Sequence, residues 1–390
     1  MKLVRFCFML LCISMLCCGC QKTPDEVRER MKTYGENEQL ASDEIEYCTI
    51  EELKKSNLTD MDIKLDNMTL PAKVDFSHIT TVEELTMAFD NDYTESGKKF
   101  LDIFHINKET LVDEEKAYGG KSVTYDSQTE KTYFAMEDNG FMSYLSGITY
   151  DLLNSDLQQN IIGKYDLYED TISEETVSLG AENVTLTELC DDAENWLKQY
   201  LSTGDCNYKV SDIYVRQLKT GDKEQNQISM FAEMNYKGMP FNAYGMESEF
   251  DGTVGKTTLM MYGINLNYEK KGELSYFSNS VGELDIKSSK KVDKVVNLKS
   301  AIKIVNEELS AFHKRTISKI IPIYALYPQY NPDNPDEGFS DVNQVVEARP
   351  VYAFIIDEGE DDSALGIVKP NACRFVFVDM IDGKITTNIE

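Results

Sequence analysis

The chain has 390 residues, with 39 basic against 68 acidic side chains and a net charge of −29. Acidity spread over the whole chain opposes contact with nucleic acid, whose phosphates need Lys and Arg, and repels anionic headgroups and wall polymers. A composition of 42% hydrophobic and 10% aromatic residues suits packed globular structure, and the length exceeds one ordinary core, which predicts two domains.

At the start, Lys2 and Arg5 introduce an apolar run from Phe6 to Leu16. A charged start, a short apolar run and small residues before a cut have the form of a secretory signal. The run is shorter than the roughly 20 apolar residues a mature membrane-spanning helix needs. The next five residues, Leu16-Cys17-Cys18-Gly19-Cys20, resemble a bacterial lipobox, although Cys17 stands where the pattern prefers an aliphatic residue. The resemblance implies a signal peptide over 1–19, cleavage before Cys20 and acylation of its sulfur. It places the chain on the outer face of a bacterial cytoplasmic membrane, with the bilayer as its partner. Two acyl chains, at ~0.8 kcal/mol per buried methylene, suffice for stable anchoring. Ordinary secretion with cleavage near Gly19, or an uncleaved anchor, are the alternatives. Residues 20–44 are polar and charged without apolar periodicity, which predicts a flexible tether.

From Ile45 the pattern turns globular, and residues 45–180 read as an N-terminal α+β domain. Thr49 to Leu53 predicts a Thr-capped helix, Met61–Leu65 and Leu70–Phe76 predict strands, and Thr81–Phe89 predicts a helix with Glu83 and Glu84 in its first turn. A further helix is expected over Gly97–Phe104. Ser122–Tyr125 and Thr132–Met136 form an expected hairpin. Leu145, Ile148, Leu152 and Leu153 have helical spacing, while Tyr165–Leu167 and Thr176–Leu179 read as strands.

Beyond residue 180 the chain carries an internal repeat with a period of about 111 residues, over about 184–280 and 296–387. Each copy opens on an amphipathic helix. The first has Leu186, Leu189, Ala193, Trp196, Leu197, Tyr200 and Leu201 on one face, and the second Leu298, Ala301, Ile302, Val305, Leu309 and Phe312. Thr185 with Glu188 makes a capping box, and Asn297 caps the second helix. Strands follow in the same order, and each copy ends on a glycine turn, Lys271-Gly272-Glu273 in one and Asp382-Gly383-Lys384 in the other. The expected fold class is therefore α+β, with antiparallel sheets each covered by a helix and an internal duplication in the C-terminal half.

A helix, then strands, then an aromatic strand ending in Asp379-Met380-Ile381-Asp382-Gly383-Lys384-Ile385 resembles PepSY-type domains. It is also similar to extracellular regulators of a cell-wall sensor kinase in Gram-positive bacteria. In those families a Pro-aromatic strand, here Pro350-Val351-Tyr352-Ala353-Phe354, pairs with such a strand. The likeness covers 297–387 best, 184–280 loosely and 45–180 not at all. The whole chain also looks like an uncharacterised lipoprotein family of Clostridia-type bacteria. These resemblances imply a regulatory or binding role with an envelope protein or sensor as partner.

No catalytic constellation stands out. His78, His105 and His313 are scattered, and His313 beside Lys314 and Arg315 complements a helix C-terminus. The chain has no H-E-x-x-H, no G-x-S-x-G and no phosphate-binding glycine loop. Of the two acidic runs weighed as calcium sites, 331–338 lacks an EF-hand's bidentate Glu, and 357–362 reads as a solvated loop. Five of nine cysteines lie in the first 20 residues, leaving Cys48, Cys190, Cys206 and Cys373. A Cys190–Cys206 bridge is conceivable, with buried free thiols as the plainer alternative. We therefore expect a non-enzymatic module without metal or cofactor. Cys20 is its lipid-attachment site, and Tyr327, Tyr330, Arg349, Tyr352 and Asp379 are its candidate partner-binding residues. The alternatives are an enzyme acting on cell-wall or other polysaccharide, and a solute-binding lipoprotein of a transporter.

Overall fold

The computed structural model describes residues 45–59, 63–90, 99–115, 121–137, 142–152, 158–168, 170, 172, 175–201, 205–220, 223–241, 263–279, 283–311, 314–328, 345–357 and 374–387. Glu46–Glu390 forms one compact unit. Cys20, Tyr330, His313, Cys373 and the acidic runs (apart from Asp357) lie outside the described residues, as do the signal and the tether up to residue 44.

In chain order, β1 (Tyr47–Thr49) leads into α1 (Ile50–Leu53), followed by β2 (Met68–Thr69) and β3 (Glu83–Asp90). Next come β4 (Val112–Glu115), β5 (Lys121–Ser127), β6 (Thr132–Glu137), β7 (Met142–Ser146), α2 (Gly147–Leu152) and β8 (Gln158–Asp166). The short pair β9 (Thr176–Leu179) and β10 (Glu182–Thr185) precedes α3 (Leu186–Tyr200). Then follow β11 (Cys206–Thr220), β12 (Lys223–Tyr236), β13 (Met239–Pro240), β14 (Ile264–Lys270) and β15 (Glu273–Asn279). The last part holds β16 (Glu283–Lys291), β17 (Lys294–Val296), α4 (Leu298–Glu308), β18 (Arg315–Thr316), β19 (Lys319–Pro328), β20 (Val345–Asp357), β21 (Arg374–Asp379) and β22 (Ile385–Thr387).

The fold is α+β, built on antiparallel sheets. A ten-stranded sheet runs β4-β5-β6-β7-β15-β14-β12-β11-β8, with β13 folded back on β12. A six-stranded sheet runs β16-β3-β20-β21-β22, with β19 on the other flank of β20. Because Val346 pairs with both Pro328 and Met87, and Val351 with both Ile323 and Asp379, the long strand β20 changes partner along one flank. It pairs with β3 up to Ala348 and with β21 from Val351 onward.

Both long helices form where their caps and stripes require. Thr185 accepts from Glu188 N at 3.2 Å while Glu188 accepts from Thr185 N at 3.1 Å; Asn297 accepts from Ser300 N at 2.8 Å. These contacts satisfy orphan first-turn donors. α3 buries Leu186, Leu189, Cys190, Ala193 and Leu197, and α4 buries Leu298, Ala301, Ile302 and Val305. Each helix is followed by a four-strand meander, β11-β12-β14-β15 after α3 and β19-β20-β21-β22 after α4. Gly272 (φ +75°) and Gly383 (φ +76°) stand at matching turns.

Several expectations need correcting. Thr81–Phe89 is not a helix: Glu83–Asp90 is β3, with β16 on one flank and β20 on the other. The acidic start imitated a helix N-terminus, but strand pairing from residues more than 190 positions away outweighs local propensity. Leu70–Phe76 forms no strand. Pro71 removes a ladder donor there, and only Met68–Thr69 pairs, in parallel with Arg315–Thr316. Residues 61–62 lie outside the described residues, and 63–65 have no regular structure. Leu145 belongs to β7 rather than to the helix that follows it. The boundary expected near residue 180 does not divide the fold, because β7 pairs with β15, β8 with β11, and β3 with β20.

Candidate functional site

Three of the five candidate partner-binding residues converge where β20 changes partner. Arg349 follows Ala348, the last residue paired to β3. Its Nε donates to Asp379 Oδ2 at 2.5 Å, and its Nη1 donates to Glu347 Oε1 at 3.2 Å. Glu84 Oε2 stands 3.7 Å from Nη1, and Asp382 Oδ2 3.6 Å from Nη2. One guanidinium thus meets carboxylates from β3, β20, β21 and the turn after β21. Burial opposes its charge, but its hydrogen bonds to Asp379 and Glu347 and its attraction to Asp379 and Asp382 outweigh that and hold it above its ordinary value. Asp379 Oδ1 accepts from Ile381 N at 2.7 Å and Asp382 N at 3.3 Å, the side-chain-to-backbone bonding of an Asx turn. Half-buried Tyr327 places its hydroxyl 3.2 Å from Thr386 Oγ1. These contacts hold the fork of the small sheet closed, and a partner would have to open the ion pairs to use them.

Tyr352 stands elsewhere. It is fully buried, its hydroxyl donates to Val296 O at 2.7 Å, and its ring meets Phe76 edge-on at 5.9 Å. It packs inside the protein and cannot touch a partner, which removes it from the candidates. The alternation of β20 explains this: Tyr352 points to the face opposite Arg349.

Nothing in the sequence signalled the second place, the seam where the two sheets meet. The hairpin between β12 and β13 turns on Lys237 (φ +51°) and Gly238 (φ +92°), the positive-φ pair a two-residue hairpin needs. Thr80 donates to Lys237 O from its backbone N at 3.1 Å and its hydroxyl at 2.8 Å. Lys237 Nζ donates to Glu83 Oε1 at 2.8 Å, and Tyr236 donates to Glu83 Oε2 at 2.9 Å. Phe241 forms a parallel bridge to Tyr324.

Beside this seam lies a cleft of about 480 Å³, within the usual size of a small-molecule site. It is assembled from residues 73–78, the turn after β8, the adjoining ends of β11 and β12, and the start of β19. Its floor is apolar, with Leu167, Val210, Pro240, Ile320 and Ile321, and its polar lining includes Lys73, Asp75, His78, Asn207, Lys209 and Lys319. Tyr168 donates to Glu233 at 2.6 Å; burial pushes its hydroxyl well above its ordinary value, so it stays a neutral donor. Lys319, only 8% exposed, pairs with Asp166. Lys209 reaches Glu194 on α3 at 2.5 Å, with 58% of its side chain exposed. Ser77 donates to Asp75, its backbone N at 2.8 Å, which holds that carboxyl below its ordinary value. Desolvation against the cleft wall lowers the His78 imidazole, with Asp75 opposing. Chemically the cleft offers an apolar bed ringed by ammonium groups, one carboxylate, Asp75, and neutral hydrogen-bonding groups.

Among the described residues no group of His, Cys, Asp and Glu is placed to hold a metal ion, and no helix is long and apolar enough to cross a membrane. Cys190 and Cys206 are buried free thiols.

Neither a protein-family model nor a curated protein matches the chain. Among solved structures, an uncharacterized protein from Eubacterium rectale ATCC 33656 is similar, with a TM-score of 0.55 and 11% identity. The match covers 86% of this chain and 96% of that one. At such identity the likeness is one of fold.

Proposed function

We propose that the chain is an extracytoplasmic lipoprotein, anchored through acylated Cys20, whose folded body is a non-catalytic binding or regulatory module. The observation that carries the binding role is the cleft at the seam of the two sheets. Its volume and its apolar floor with a polar rim are those of a site that holds a molecule. The anchoring part rests on the lipobox-like run ending at Cys20. We further propose that the two helix-plus-meander segments are copies of one unit. Their shared order of elements supports the resemblance to PepSY-type domains and to regulators of a sensor kinase. Glycoside hydrolysis calls for two carboxyl groups facing one sugar bond; among the described lining residues Asp75 is the single carboxylate, which favours binding over that chemistry.

Native mass spectrometry of the full chain, extracted from its own membranes in detergent, tests the proposal. Wild type should carry two or three acyl chains on Cys20 and retain a bound molecule or envelope partner. An Asn207→Trp variant, with the cleft obstructed, should lose that cargo. An unacylated Cys20 would overturn the anchor, and equal cargo on both forms would overturn the cleft as the binding site.

A further inference from the structure

The lining of the cleft is richer in lysine than the chain around it, although Lys319 and Lys209 are each paired to a carboxylate behind the lining, Asp166 and Glu194. Across the chain acidic side chains outnumber basic ones by 68 to 39, yet the described lining residues include three lysines, Lys73, Lys209 and Lys319, against one carboxylate, Asp75. Cations gathered against low-dielectric walls concentrate the local field. In a chain of net charge −29 they make this seam a place where an anion escapes the general repulsion.

The three lysines differ in what they can give. Lys319 is buried against Asp166, and removing it from that pair would strand a charge. Lys209 and Glu194 are both partly in solvent, with side-chain exposures of 58% and 24%. A solvent-exposed pair contributes little, so Lys209 can turn to a ligand. Lys73 is exposed on the 73–78 segment. His78 and Asn207 make no side-chain hydrogen bond among the described residues, and both line the cleft. The floor of Leu167, Val210, Pro240, Ile320 and Ile321 has no use for an inorganic ion alone, whereas it suits an apolar body attached to the charged group.

We propose that the cleft receives a small organic anion, with a carboxylate or phosphate head met by Lys209 and Lys73 and an apolar body laid on the Val210–Ile320 floor. This inference rests on the reading of the chain as a binding module and gives that module its ligand class.

The test uses three probes with the full chain in a non-ionic detergent, followed by ligand-observed NMR: N-acetylphenylalanine, phenyl phosphate, and the neutral N-acetylphenylalaninamide. At least one anion should bind with a Kd tenfold or more below that of the amide, and the tighter of the two identifies the head. Lys209→Glu should weaken that anion at least fivefold while leaving the amide unchanged, and Asn207→Trp should weaken every probe that binds. Both substitutions fall on exposed side chains, and an unchanged thermal midpoint checks that each variant is folded. An amide that binds as tightly as the anions, indifference to Lys209→Glu, or no binding by any probe overturns the anion assignment. If the amide binds and Asn207→Trp removes it, the cleft remains a binding site and only the ligand class falls. Should probes bind with Asn207→Trp making no difference, the cleft is not their site, and both the ligand class and the binding role of the cleft fall.

Discussion

Lys237 Nζ donates to Glu83 Oε1 at 2.8 Å across 154 positions of sequence, joining a turn of the ten-stranded sheet to the first residue of a strand in the six-stranded one. Burial raises the Glu83 carboxyl, but hydrogen bonds from Lys237, Tyr236 and Ser289 bring it below its ordinary value. A carboxyl with a lowered folded-state pKa adds stability that is present above its unfolded value, about 4.3, and lost as pH falls through the folded value. Glu83→Gln should therefore cost about 2 kcal/mol at pH 7, and the gap from wild type should close as pH falls from about 5 to 3. Denaturant titrations across that range check this. A gap independent of pH would assign the cost to packing rather than charge.

The same turn depends on a glycine for two separate reasons. Gly238 has φ +92°, and a Cβ placed there would stand 2.1 Å from the carbonyl oxygen of His78. Gly272 has φ +75° with nothing within 4 Å of its would-be Cβ. Strain from positive φ costs about 1–3 kcal/mol for a non-glycine residue, and backbone collision adds to it only at Gly238. Gly272→Ala should thus lower stability by about 1 kcal/mol and Gly238→Ala by about 3 kcal/mol or more. Gly238→Ala should also disturb the cleft, since His78 and Gly238 both line it. Urea midpoints of the two variants, measured side by side, separate strain from collision.

What the sequence made legible was what is local. The Thr49 cap, the Thr185 capping box, the Asn297 cap, the two amphipathic helices (Phe312 of the second lies outside the described residues) and the glycine turns at Gly272 and Gly383 all lie within a few residues of the structure they specify, and occur where expected. β3 was missed because its strand character comes from β16 and β20, both remote in sequence. The cleft was missed for the same reason: its walls come from residues near 75, 168, 209 and 320, and no spacing rule links four such segments. Arg349 and Asp379 both stand among the candidate partner-binding residues, but no feature of the sequence links the two; the structure pairs them. Their geometry shows why an Asp-Gly turn motif there carries a structural job: Asp379 bonds the turn's own amides while it neutralises Arg349.

That double duty leads to an asymmetric expectation. Arg349→Met would leave Glu84, Glu347, Asp379 and Asp382 facing one another around an apolar side chain. Removing one partner of a buried ion pair costs about 3–5 kcal/mol, and the lower end fits Arg349, whose side chain keeps 23% of its exposure. High salt should restore part of that loss by screening the carboxylates. Asp379→Asn keeps an oxygen for the turn amides and leaves Arg349 three other carboxylates, so it should cost less. Tyr327→Phe removes one hydroxyl contact and should cost about 1 kcal/mol. Thermal melts of the three variants at low and high salt rank them. A milder Arg349→Met than Asp379→Asn would show that turn bonding, not charge neutralisation, holds the fork.

The two buried thiols offer a check on compartment against geometry. An extracytoplasmic site would permit a Cys190–Cys206 bridge, yet Cys190 lies on the buried face of α3 while Cys206 opens β11, and both are free. Burial, with Glu194 and Asp191 nearby, pushes the Cys190 thiol up to about 12, and burial with Asp205 pushes Cys206 up to about 11. Only a thiolate reacts, so at pH 8 less than about one thiol in a thousand of either kind is reactive. N-ethylmaleimide should therefore leave both peptides unlabelled in the folded protein and modify both in denaturant, as read by site-resolved mass spectrometry. A reductant should leave the melting temperature unchanged. A cross-linked Cys190–Cys206 peptide in an unreduced digest would mean that export oxidises the pair and that α3 sits closer to the start of β11 than these contacts place it.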